Sequence, residues 1–355
     1  MSDKYLGENL IFIISQPRSG STLLQRVLAG NDAVATSSEP WLMLHPVYGR
    51  RDTGIQTDYS ADWAAQGVNE FLDNYTDGQE VYDDGIRAFA KTIYENAMAK
   101  GNGHWFIDKT PRYLMIVDDL LRLFPAAKFI FLLRNPLSVL ASIVNTQIAH
   151  DLYTLERFTE ELLLGPSTII NATRQLGDRA IVVRYEEFVV APEERTQKIC
   201  EAIGIEYQTG MVDYSDAEPV KGFMQDRTGI HQHERPNESR IESWRQMLTD
   251  PQQIHFAQNY LRDLGRETIE AFGYSYDELN DAVRQAAERD KGDGVLLPWR
   301  VALLHPDELK GRDQQAVSLY RNIRDHGQIK GRILSVGDFF IGIWRQLKFI
   351  FGSSG

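Results

Sequence analysis

The chain reads as an α/β protein: three layers, α/β/α, around a central parallel sheet, followed by a mostly helical C-terminal extension. Three observations predict this. Short β-branched runs alternate with longer segments of helical period, the alternation that builds a parallel sheet with helices on both faces. Two of the runs, LIFIIS at residues 10–15 and KFIFLL at 128–133, are almost wholly apolar, as strands covered on both faces are. The first run breaks at a polar turn, QPRSGS, straight into a helix-period segment, a P-loop-like strand–loop–helix that aims backbone N–H groups at an anion.

The elements follow in chain order. Residues 10–15 are the first strand. Residues 22–29 (TLLQRVLA) place apolar side chains at helical spacing and stop at Gly30, which suits a helix end. Residues 33–38 are a second, short strand, and 62–100 are helical with a break at Asp77-Gly78. Residues 105–107 form a brief third strand, followed by Asp108-Lys109-Thr110-Pro111 and a helix through Leu123. Residues 128–133 are the strand that fits the sheet centre best. They pass through Arg134-Asn135-Pro136 into a helix whose first turn accepts Pro136, because that position needs no N–H. Residues 155–176 are helical, 180–183 are a strand, and 192–203 and 252–272 are helices. Ligands of such sheets bind beyond the carboxyl ends of the strands. The polar segments after Ser15, Ile107 and Leu133 all stand there, so they are expected to converge on one site.

With 355 residues the chain holds one large domain, residues 1–275, and an extension, residues 276–355. A net charge of −12 argues against a nucleic-acid partner held through its phosphates, but leaves room for a local basic pocket. The single cysteine, Cys200, points to a reducing compartment. No leader pattern precedes Ile11 and no uncharged run approaches membrane-spanning length, so a cytoplasmic location is expected. Residues 333–351 (ILSVGDFFIGIWRQLKFIF) are rich in large apolar side chains. They have three uses open to them: packing on the chain's own core, a homodimer contact, or a membrane interface.

In the first loop, Ser19, Gly20, Ser21 and Thr22 supply N–H and hydroxyl donors, Gly20 lets a ligand approach the backbone, and Arg18 adds a fixed cation. A plain strand–helix turn is the alternative reading. The loop lacks the second glycine and the lysine of a Walker A sequence, and KFIFLL ends in Arg134 rather than in a magnesium-binding acid. An anion site without a metal is therefore expected. A nucleotide kinase, or a silent nucleotide-binding assembly protein, stands as the competing function.

Residues 15–24 (SQPRSGSTLL), 108–111 (DKTP), 129–142 (FIFLLRNPLSVLAS) and 180–188 (AIVVRYEEF) together resemble the 3′-phosphoadenosine 5′-phosphosulfate (PAPS)-dependent sulfotransferases, most closely the tyrosylprotein sulfotransferase-like branch. The resemblance spans roughly residues 8–275. It implies that Arg18, Ser19, Gly20, Ser21 and Thr22 hold the 5′-phosphosulfate, and that Arg134 and Ser142, eight positions apart as in the family, hold the 3′-phosphate. Ser138, on the same helical face, competes with a simple structural serine. Tyr185 is implied to lie near adenine, with an ordinary core tyrosine as its alternative. Glu39 follows Arg18 by 21 positions, the interval at which that branch places its general base, against the alternative of a glutamate that caps or pairs near the end of the second strand. Lys109, with Arg18, is implied to meet the negative charge of the transfer, against the alternative of a surface ion pair with Asp108 or Asp119. His104 is the nearby histidine, expected to be exposed at a strand start. Residues 222–244, with Arg227, Arg235, Arg240 and Ser243-Trp244, are implied to close over the cofactor, without an assigned ligand. The implied reaction transfers a sulfuryl group to a hydroxyl acceptor and releases 3′,5′-ADP.

Overall fold

The computed structural model describes residues 4–75, 77–99, 103–149, 151–214, 234–290 and 296–330. Five strands, β1 (Leu10–Ser15), β2 (Val34–Thr36), β3 (Trp105–Asp108), β4 (Lys128–Leu133) and β5 (Ala180–Arg184), form one parallel sheet in the order β2-β3-β1-β4-β5. The pairing Ile13↔Ile130 locks β1 to β4, and Ile11↔Ile107 locks it to β3.

Every residue of β1 is buried, yet its side chains still divide by the period of two that a strand imposes. Leu10, Phe12 and Ile14 enter one core with Phe106, Phe129, Phe131 and Leu133. Ile11 and Ile13 enter another with Ile107, Ile130 and Leu132. The first core is aromatic, with Phe12 stacked on Phe129 at 5.3 Å between ring centroids. It is covered by the helices Gly78–Ala99, Val117–Leu123 and Gly165–Leu176. The second is mainly aliphatic, with Tyr185, Phe188 and Tyr214 at its side, and is covered by α1 (Ser21–Ala29) and the helix Pro192–Ile203. Each buried Leu, Ile or Phe contributes about 1.5–3 kcal/mol over exposure, so the two faces of the sheet hold much of the burial that stabilises the fold. The α/β/α layering predicted from the alternation is the observed one.

A third core is purely helical. Leu137 and Leu140, from the helix Pro136–Ser142, pack with Trp244, Phe256 and Tyr260, and with Leu279, Val283, Trp299, Val301 and Val317 from the C-terminal region. The apolar stretch at 333–351 lies outside the described residues. No helix among the described residues is long and apolar enough to cross a membrane.

Several expected boundaries shift. The single helix expected over 155–176 is three pieces, 3-10 helix Leu152–Phe158, helix Thr159–Leu163 and helix Gly165–Leu176; Pro166, without an N–H to continue the ladder, accounts for the second break. The second strand is shorter than 33–38; Gln25 Nε2 takes the Ser37 carbonyl at 2.8 Å, ending the pairing. Pro251–Ala271 kinks at Gly265, whose φ of 74° and ψ of 159° suit only glycine.

Candidate active site

All five strands end on the same edge of the sheet. From there β1 connects toward β2 and β4 toward β5, so their outgoing loops part and leave a crevice beside the sheet centre. The loop after β1 and Arg134 after β4 line that crevice. Gly20, with φ 93°, caps α1 without any side-chain hydrogen bond, and no acidic residue stands in the first turn of the helix. The helix therefore opens with free N–H groups and its positive dipole end, the arrangement that suits an anion. A Cβ on Gly20 would stand 2.5 Å from Cδ2 of Tyr185, so neither the backbone angle nor the space admits a side chain.

Arg18 also adopts a left-handed backbone, φ 66°, which costs a non-glycine residue about 1–3 kcal/mol. Its surroundings hold it there. Arg134 Nη1 donates to the Arg18 carbonyl at 2.7 Å, and Arg18 Nε donates to Ser142 Oγ at 3.2 Å. Arg134 is 7% exposed, and burial pulls its pKa below the ordinary guanidinium value. Its guanidinium lies 4.2 Å above the Tyr185 ring centroid. Nη2 donates to the Arg240 carbonyl at 3.2 Å, so two of the five donors of this fork are committed to backbone. Arg134 Nε and Ser19 Oγ are buried with no hydrogen-bond partner among the described residues. These orphaned donors and the uncapped helix start fit an anionic nucleotide. Ser138 Oγ instead reaches the Ile241 carbonyl at 3.5 Å.

On the other side of the crevice, Lys109 Nζ donates to Glu39 Oε1 at 2.7 Å and to Thr22 Oγ1 at 3.2 Å. The lysine side chain is 3% exposed and that of Glu39 16%. Trp41 Nε1 reaches Glu39 Oε2 at 3.3 Å. The register explains the meeting. β2 pairs with β3 at Thr36↔Ile107, so the residues just past both strand ends come together. Asp108, just before the lysine, is fully buried. Its carboxylate accepts from Tyr94 at 2.6 Å, Tyr113 at 2.9 Å and Thr110 at 3.0 Å. Desolvation pushes its pKa up to about 6, against the pull of those hydroxyls.

The structure thus gathers Arg18, Ser19, Gly20, Ser21, Thr22, Glu39, Lys109, Arg134, Ser142 and Tyr185 at one edge of the sheet. The surface pair considered for Lys109 is not formed: Asp119 pairs with Arg51 and Arg122, and Asp108 is enclosed by hydroxyls. His104 is exposed at the opposite, amino-terminal end of β3, where its N–H meets the Ala33 carbonyl. Of the 222–244 segment, residues 222–233 with Arg227 lie outside the described residues; Arg235 pairs with Glu193, and Trp244 is buried. Sequence reasoning missed the Asp108 cluster and the indole of Trp41. The signal present was an aspartate at a strand end with a tyrosine five positions on.

Residues 10–209 match the family model described as Sulfotransferase family. Nodulation protein NoeE of Sinorhizobium fredii (strain NBRC 101917 / NGR234) is 29% identical over 317 residues, covering 82% of this chain and 71% of that protein. A putative protein-tyrosine sulfotransferase of Caenorhabditis briggsae is 26% identical over 214 residues, covering 59% and 70% respectively. Among solved structures, the sulfotransferase domain from the curacin biosynthetic pathway is 23% identical, with a TM-score of 0.45, over 66% of this chain and 89% of that one.

Proposed function

The chain belongs to the sulfotransferase family and is a PAPS-dependent enzyme, and on that premise we propose that Glu39 is its general base and that Arg18 and Lys109 stabilise the transfer. One observation carries this. Lys109 Nζ touches both Glu39 Oε1 and Thr22 Oγ1, so a proton acceptor, a cation and the anion loop meet at one point. PAPS supplies the sulfuryl group and leaves as 3′,5′-ADP. Glu39 takes the proton of the acceptor hydroxyl, a role worth about 10²–10⁴ in rate. Lys109, Arg18 and the N–H groups at the start of α1 face the negative charge that grows on the departing side.

The grip on the nucleotide falls to the other half of the crevice. Ser19, Gly20, Ser21 and Thr22 cradle the 5′ end. Arg134 and Ser142 hold the 3′-phosphate, with the unpartnered Nε as the donor in reserve, and Tyr185 is the floor beneath Arg134 and Gly20 on the adenosine side. All these residues lie within 1–275, which we assign as the transfer domain; 276–355 is the extension. Several relatives are named protein-tyrosine sulfotransferases, which supports the tyrosylprotein-like branch and a phenolic hydroxyl as acceptor. The buried Cys200 suits a reducing compartment such as the cytoplasm.

Calorimetry with 3′,5′-ADP and 5′-AMP, followed by turnover with labelled PAPS and a phenol, tests the assignment. 3′,5′-ADP should bind at least about tenfold more tightly, the gain expected of one added charge-assisted contact. Equal affinities, or a preference for ATP with magnesium, would overturn the proposed grip.

A further inference from the structure

Asp108 is the last residue of β3 and is 0% exposed. It makes no ion pair at hydrogen-bonding distance among the described contacts, because the neighbouring Lys109 turns to Glu39 instead. Burying a carboxylate on hydroxyl partners alone is expensive, and burial raises its pKa accordingly. The hydrogen bonds show what it organises. Thr110 gives its proton to Asp108 Oδ1, which leaves Thr110 Oγ1 free to accept the backbone N–H of Trp41 at 3.4 Å. Tyr113 gives its proton to Oδ2, and its oxygen accepts the backbone N–H of Met43 at 3.0 Å. Both relays end on the short segment that follows Glu39. That segment includes Trp41, whose backbone is left-handed at φ 54° and whose indole reaches Glu39 Oε2.

We propose that Asp108 is a positioning residue: through Thr110 and Tyr113 it pins the Trp41–Met43 backbone and so sets Glu39 against Lys109 across the acceptor site. The inference rests on the reading of Glu39 as base. A hydroxyl has one proton, and the carboxylate fixes where it points. Without that acceptor, Thr110 and Tyr113 are free to rotate, and the two N–H groups lose their defined partners. Lys109 follows Asp108 directly, so one strand end sets both members of the catalytic pair.

The test uses the full chain and five variants: Asp108→Asn, Tyr113→Phe, which keeps the buried ring, Glu39→Gln, and the two doubles that add Asp108→Asn or Tyr113→Phe to Glu39→Gln. The readouts are kcat with a neutral hydroxyl acceptor, kcat with an acceptor ionised at the assay pH, and 3′,5′-ADP affinity by calorimetry. Asp108→Asn and Tyr113→Phe should each lower kcat for the neutral acceptor by about tenfold or more, as small misplacements of reacting groups do. The loss should shrink with the ionised acceptor, and 3′,5′-ADP affinity should stay within about twofold. Added to Glu39→Gln, either change should cost less than about twofold more, since it acts through a base already removed. Independent multiplication of the losses, an equal loss of nucleotide affinity, or full turnover by Tyr113→Phe would overturn the proposal. If Asp108→Asn does not fold, Tyr113→Phe decides alone. Full turnover by Glu39→Gln with the neutral acceptor would instead remove the base assignment, and the positioning role with it. A slow Glu39→Gln beside a fast Tyr113→Phe removes the positioning role only.

Discussion

The two halves of the crevice treat their polar groups in opposite ways. Around β1, β4 and β5, Arg134 holds the Arg18 carbonyl of a strained turn and the Arg240 carbonyl, while its Nε and Ser19 Oγ are buried without partners among the described residues. Around β2 and β3, Lys109, Glu39 and Asp108 all find partners within the protein. An unpartnered buried donor costs about 1–3 kcal/mol, which an incoming acceptor removes on binding. A set of groups already fixed in place costs little reorganisation when charge develops. On the proposed roles, the first half serves affinity and the second rate.

The hardest blow to this division comes from Glu39→Gln. It keeps shape and polarity and removes the proton acceptor, so turnover with a neutral hydroxyl should fall about 10²-fold or more. Affinity for 3′,5′-ADP, measured by calorimetry, should not move, because Glu39 belongs to the other half. A matching loss of nucleotide affinity would show that the halves are one unit. Arg134→Ala is the mirror experiment. It should weaken 3′,5′-ADP by about 10–100-fold, as loss of a charge-assisted contact does, and erase the preference over 5′-AMP. At saturating PAPS, kcat should change much less than KM.

The halves also differed in how far the sequence disclosed them. Arg18 is readable because it lies in a loop that opens a helix, a local geometry, while Arg134 and Ser142 stand out through their eight-position interval in the family resemblance. α1 and four of the five strands match their sequence pattern to within about a residue; β2 is shorter than the 33–38 run suggests, since a side chain from α1 ends it. Glu39 carries no local signal in Ser38-Glu39-Pro40-Trp41, and only its interval from Arg18 in a familiar pattern singled it out. What brings it to Lys109 is the parallel pairing of β2 with β3, a long-range fact. The Asp108 cluster is harder still. Tyr94 comes from the helix Gly78–Ala99 and Tyr113 from the turn after β3, so the cluster exists only through packing. An aspartate between a strand and a lysine otherwise reads as solvated.

Gly20→Ala probes the affinity half through sterics rather than charge. The new Cβ meets the Tyr185 ring and a backbone at φ 93°, so stability should fall by about 1–3 kcal/mol, read from urea unfolding. Nucleotide affinity should fall with it, because the loop must shift away from the ring. Combining the change with Tyr185→Ala relieves the clash but not the backbone strain, so the two effects should sum to less than their separate values. Strict additivity would mean that ring and loop do not press on each other.

The smallest expected effects separate two serines on one helix. Ser142 Oγ accepts from Arg18 Nε, and Arg18 holds the strained turn of the loop, so Ser142→Ala removes a tether as well as a hydroxyl. A hydrogen bond with a charged partner is worth about 1.5–3 kcal/mol when buried and less at a part-exposed site, so a loss of about fivefold in 3′,5′-ADP affinity is expected. Ser138 Oγ makes one long contact among the described residues, to the Ile241 carbonyl at 3.5 Å, and that contact bears on the segment around Ile241 rather than on the loop. Its replacement by alanine should change affinity by less than about twofold, since a bond at that length contributes little. The ordering is the informative part. If Ser138→Ala proves the more damaging, the 3′ grip lies nearer the start of the helix than its end, and the Arg18–Ser142 contact is a structural tether only.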